Sequence, residues 1–148
     1  MATRATYLIS TSKDVVSDKK ETFECFYIHW DGYPLGACRY FMNMLKSKKK
    51  KISFSNSFKR GNSPPARLIG NNHNECDDSE YRYTFYSSGA LIAKKIGYSK
   101  GKYVFRTIFK GQLIDFLDIE YKKLLKETVR NCHLNFYGRY PQVTIGDL

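Results

Sequence analysis

Residues 21–41 read ETFECFYIHWDGYPLGACRYF, a strand, a corner and the start of a helix in one run. Phe26, Ile28 and Trp30 alternate with Phe23, Cys25, Tyr27 and His29. Both sets are mainly apolar, which predicts a central strand covered on both faces, with Trp30 buried at its end. Asp31-Gly32 and then Pro34 stop the strand, because glycine accepts positive φ and proline offers no N–H. After Leu35, the residues Cys38, Phe41, Met42 and Leu45 recur at three- and four-residue steps, so a helix with one apolar stripe follows. The lysines at 46 and 48–51 suit the negative end of its dipole.

Outward from this stretch, RATYLIS (4–10) alternates and is rich in strand formers, so it reads as a first strand. The segment 54–72, FSNSFKRGNSPPARLIGNN, is rich in Ser, Asn, Gly and Pro and is expected to be a long loop with a short extended piece at ARLIG. EYRYTFYSS, ALIAKKIG and KYVFRTIFKG look like three successive antiparallel strands, turning at Ser88-Gly89 and at 99–101. The run 112–131 is the longest helix candidate, with Leu113, Phe116, Leu117, Tyr121, Leu124 and Leu125 on one face. The expected fold is a single α+β domain over 1–148, with about five mainly antiparallel strands and two helices packed on them.

A chain of 148 residues fits one domain. No apolar run approaches the ~20 residues that span a bilayer, and MATRATYLIS lacks the pattern of a secretory leader. Cys25, Cys38, Cys76 and Cys132 are scattered without a CxxC pair, which favours a reducing compartment and a cytoplasmic setting.

The net charge of +11 is unevenly placed. Nine basic residues and no acid lie between Gly32 and Asn74, and seven basic residues and no acid between Tyr81 and Ile114. Such blocks raise the local potential and draw polyanions, nucleotides or acidic protein faces. Lys46, Lys48, Lys49, Lys50, Lys51, Lys59 and Arg60 are the candidate contacts in the first block.

The corner His29-Trp30-Asp31-Gly32-Tyr33-Pro34 supports three readings. As a purely structural turn it uses Trp30 for burial, Gly32 for positive φ and Asp31 to bond backbone N–H groups. As a binding wall it offers His29, Trp30 and Tyr33 for stacking beside the positive surface. As a catalytic pair, His29 would be a general base oriented by Asp31, but no nucleophile with the usual context stands nearby. No cofactor or metal is expected. The glycines form no phosphate-binding pattern, and Cys25 and His29 are ~13 Å apart on a strand, too far to share one ion. The loop residues His73, Cys76, Asp77 and Asp78 have no second spaced pair.

Four segments together resemble a family of small proteins encoded by phages, prophages and bacterial genomes. They are Thr3-Arg4-Ala5-Thr6-Tyr7, the 27–34 run YIHWDGYP, Glu80-Tyr81-Arg82-Tyr83, and Gly111-Gln112-Leu113-Ile114-Asp115-Phe116. The resemblance spans roughly residues 3–117, and it implies a mobile-element setting rather than a chemistry. Small phage-associated proteins without catalytic motifs are often inhibitors of host defence, such as anti-CRISPR proteins, so by analogy an inhibitor is implied here.

The leading expectation is therefore a non-enzymatic binding protein of the anti-defence kind, acting in the host cytoplasm through a basic surface on a defence protein or ribonucleoprotein complex. A direct binder of nucleic acid or an anionic nucleotide is the first alternative. A nucleotide- or RNA-directed enzyme using His29 and Asp31 is the second. No membrane partner is expected, and the sequence leaves a homodimer open.

Overall fold

The structure is a computed structural model, and it describes residues 2–15, 21–75 and 78–118. In chain order its elements are β1 (Ala5–Ser10), β2 (Phe23–Ile28), α1 (Pro34–Ser47), α2 (Phe54–Gly61), β3 (Arg67–Gly70), β4 (Tyr81–Phe85), β5 (Ala90–Ser99) and β6 (Lys102–Gln112). A 3-10 turn at His73–Glu75 lies between β3 and β4, and residues 113–118 are helical. The rest of the long helix expected over 112–131, with Tyr121, Leu124 and Leu125, lies outside the described residues, as do Cys76, Asp77 and Cys132.

The α+β class is as expected, but among the described residues the sheet has six strands and is mixed. Its order is β3-β2-β1-β4-β5-β6. Two antiparallel meanders, β1-β2-β3 and β4-β5-β6, meet at their first strands, and β1 pairs with β4 in parallel from Ala5↔Tyr81 to Ile9↔Phe85. The parallel seam arises because helices and a long connection separate β1 from β4, which allows a crossover that a tight turn would forbid. The extended piece at ARLIG is a true edge strand, with a bulge where it leaves β2.

The second difference is α2, where a loop was expected. Ser53 caps this helix, its side chain accepting from the Asn56 N–H at 3.1 Å. Phe54 and Phe58, one turn apart, drop into the core, while Lys59 and Arg60 occupy the last turn. Asn62 closes the junction: its amide donates to the carbonyls of Tyr40 and Phe58, both at 3.0 Å, and its Oδ1 accepts from Asn43.

The core lies between the helices and one sheet face. Tyr7 is at its centre, stacked on Tyr83 at 5.1 Å and touching Tyr40, Phe41 and Phe58. Leu113, Ile114 and Leu117 of the helical 113–118 segment are buried in the same cluster. By strand alternation the opposite face carries Thr6, Tyr27, Arg82 and Lys94 in one row across the registers. Among the described residues, no helix is long and apolar enough to cross a membrane.

Candidate functional site

The corner after β2 is built by backbone bonds. The strand ends at Ile28, and Asp31 turns the chain at φ 56°. Tyr40 donates to the Trp30 carbonyl at 2.9 Å and Tyr83 to the Gly32 carbonyl at 2.6 Å. Burial pushes both phenols above their ordinary range, Tyr83 more than Tyr40, so each stays protonated and able to donate. The Gly32 N–H reaches the Thr3 carbonyl at 2.8 Å. The corner is thereby clamped to β1, β4 and α1.

Two expectations about it are corrected. Trp30 is 56% exposed, because the alternation that predicted its burial stops with the strand at Ile28. Positive φ falls on Asp31 and not on Gly32. Gly32 is needed instead for close approach, since a Cβ there would sit 2.8 Å from the Ala5 Cβ and 2.9 Å from the Thr3 oxygen. Trp30→Ala is therefore expected to change unfolding free energy by no more than ~0.5 kcal/mol. Gly32→Val should cost ~1–3 kcal/mol through overpacking. Urea unfolding of the two variants side by side checks the contrast, and a large loss in the tryptophan variant would contradict the exposed placement.

His29 and Asp31 are engaged separately. The His29 Nδ1 pairs with the Tyr27 hydroxyl at 2.9 Å, and the His29 ring meets Trp30 edge-on at 4.8 Å. The Asp31 carboxylate holds Arg39 at 2.6 Å and accepts from the Tyr33 hydroxyl at 3.2 Å. Among the described residues no hydrogen bond joins His29 to Asp31. What the corner presents outward is Trp30, Tyr33 and Leu35, all exposed, beside the exposed Arg39.

The lysine block lies at the other end of α1. A helix of 14 residues separates the two ends by ~20 Å, so the sequence-predicted residues fall into two places and not one site. Lys46, Lys49 and Lys50 are exposed at the end of α1 and in the turn after it. Lys48 is placed differently: only 3% exposed, it donates to the Lys49 carbonyl at 2.8 Å with its ammonium 5.0 Å from the Phe54 ring centroid. Its stem and charge belong to the α1–α2 junction. Lys51, Lys59 and Arg60 converge with Ile52, Asn56 and Ser63 around an open concavity of 460 Å³. The turn at 49–52, bonded from the Ile52 N–H to the Lys49 carbonyl, brings Lys51 to the flank of α2. Among the described residues, no acidic side chain and no aromatic ring lines this groove.

The opposite sheet face holds a histidine given no separate role by its spacing. His73 Nδ1 pairs with Thr6 at 2.8 Å and its Nε2 with Thr84 at 2.9 Å. Burial, then the cations of Arg82 and Lys94, pushes it down from 6.5 to about 4, so the ring is neutral at pH 7. The Arg82 guanidinium lies over the Phe105 ring at 3.9 Å, and that of Arg67 over Tyr27 at 5.3 Å. The sequence signal for this face was strand alternation, over 4–10 and 23–30 as well as within the second acid-free block. Near the ends of β1 and β4, Glu21 accepts from Ser10 at 2.8 Å and from the Ser87 N–H at 2.6 Å, which ties the two meanders together. Among the described residues no three potential ligands converge on a metal position.

No family model, curated protein or solved structure matches this chain.

Proposed function

We propose that this chain is a non-enzymatic binding protein that grips an acidic face of a partner protein, as a mobile-element-encoded inhibitor of host defence would. The observation that carries this reading is the convergence of Lys51, Lys59 and Arg60 on one open groove. Asn56 and Ser63 add neutral hydrogen-bonding groups to its wall. Arg60 can bind a carboxylate through two parallel N–H bonds, and the two ammonium groups supply non-directional charge beside it. The described lining, three cations with Asn56 and Ser63, favours carboxylates over stacked bases as its ligand. The resemblance to small phage-borne proteins supplies the biological setting.

The test is capture of host proteins on the full chain with and without nuclease, repeated with Lys51→Gln/Lys59→Gln/Arg60→Gln. The partner should survive nuclease. The variant should bind it at least ~10-fold more weakly, with a flatter salt dependence, because rim charges act through long-range attraction. Its melting should match wild type, since all three side chains are exposed. A partner retained equally by the variant across a salt series would refute the groove as the contact.

A further inference from the structure

The sheet does not end evenly. β4 pairs with β5 only from Tyr81↔Lys95 to Phe85↔Leu91, and past the Lys95 end a bond joins the Ile96 N–H to the Glu80 carbonyl. β5 and β6 continue past that point as a two-stranded arm, paired Gly97↔Val104, Tyr98↔Tyr103 and Ser99↔Lys102. Lys100 and Gly101 form the tip with φ 52° and 78°, the two positive values of a type I′ turn whose twist matches the strands. Two-stranded ribbons bury little, and this one exposes what a core would normally take: Tyr98 is 65% and Tyr103 75% exposed. Their rings meet edge-on at 5.3 Å.

Alternation puts Tyr98 and Tyr103 on the same face as Lys94, Ile96 and Phe105, the face away from the helices. The Arg82 guanidinium stacked on Phe105 continues the same surface. Lys100 and Lys102 flank the tip, and no acidic residue occurs anywhere from Tyr81 to Ile114. We propose that the β5–β6 arm and the adjoining Arg82–Phe105 surface form a binding site for single-stranded nucleic acid, separate from the α2 groove. Phosphates meet Lys94 on this face and Lys100 and Lys102 at the tip, and unstacked bases meet the tyrosine rings and the Arg82 guanidinium that covers Phe105.

Spacing selects single strands over duplex. Tyr103 and Phe105 are two residues apart on one strand face, ~7 Å. Adjacent bases in a stacked strand are separated by only ~3.4 Å, so bases meeting successive rings must first come apart. A flexible single strand does this at small cost, and aromatic platforms among cations are how sequence-tolerant single-strand binders work.

The test uses the purified full chain and fluorescence anisotropy of labelled ~20-nucleotide oligo(dT) and oligo(U), from ~50 to ~200 mM salt. Wild type should bind both, and a duplex of equal length at least ~10-fold more weakly. Tyr98→Ser/Tyr103→Ser should weaken single-strand binding at least ~10-fold with the salt slope unchanged, because stacking is lost and no charge is. Lys100→Gln/Lys102→Gln should instead lower the log–log slope by ~1.4, about 0.7 for each cation. All four residues are exposed or at the rim of the ribbon, and melting curves confirm that the variants fold. The triple glutamine variant of the α2 groove should bind oligonucleotide like wild type. The assignment is overturned if no binding appears at the lowest salt, if duplex binds as well as single strand, or if the tyrosine variant is unaffected. It is also overturned if the groove variant alone loses binding. Failure here leaves the groove reading intact, since that reading stands on a nuclease-resistant protein partner.

Discussion

Phe58→Ala should lower the unfolding free energy by ~3–5 kcal/mol, the range for truncating a fully buried aromatic side chain. Phe58 is completely buried between Tyr7 at 5.1 Å, Phe26 at 5.3 Å and Phe41 at 6.0 Å. Those neighbours come from β1, β2 and α1, each anchored in the fold, so the space left by the ring cannot collapse easily. Chemical denaturation of wild type and variant measures the loss. A cost below about 1 kcal/mol would mean that α2 is peripheral, and that the segment behaves as the loop its composition suggested.

That composition is why α2 was not legible in the sequence. Ser55, Asn56, Ser57 and Gly61 favour turns in isolation, and eight residues are too few to show a helical period. The available signal was local: a capping serine at 53, phenylalanines four apart, and cations at the end. The strands were easier. Tyr81, Tyr83 and Phe85 alternate with Arg82 and Thr84, and the pattern survives unchanged in the burial of β4. The partner of each strand was not legible, because alternation fixes a face and leaves neighbours open. The parallel contact of β1 with β4 depends on a crossover that no local residue announces. The corner residues His29, Trp30 and Tyr33 and the lysine block were each visible as chemistry. Their separation follows from the length of the expected helix α1, whereas the withdrawal of Lys48 beneath the α1–α2 junction comes from tertiary packing.

His73 carries the second large prediction. Its folded pKa is held at about 4, below the ordinary 6.5. Above pH ~6.5 both folded and unfolded rings are neutral and the full stability is present. As pH falls toward 4, the unfolded chain takes up a proton that the folded one refuses, so stability is lost across this window. The loss attributable to this ring is on the order of 3 kcal/mol. Burial withholds water from the ring, Arg82 and Lys94 add a repulsive field, and Thr6 and Thr84 bond its two nitrogens. Urea midpoints at pH 7 and pH ~4.5 should fall more steeply for wild type than for His73→Asn. A nuclear magnetic resonance titration of the native ring gives an independent reading if the variant folds poorly. Parallel pH curves, or a native midpoint near the free-histidine value, would contradict the buried placement.

The seam between the two meanders also sets the timing of assembly. β1 is complete at Ser10, yet the strand that covers its second edge begins only at Tyr81. During synthesis at ~5–20 residues per second, that edge waits on the order of ten seconds for its partner. Until then β1, β2 and β3 can form a meander whose first strand exposes a row of unpaired N–H and C=O groups, and bare edges of this kind recruit other chains. The newborn protein therefore passes through a stage in which its central strand is its most vulnerable one, and closing the seam turns that edge into the middle of the sheet.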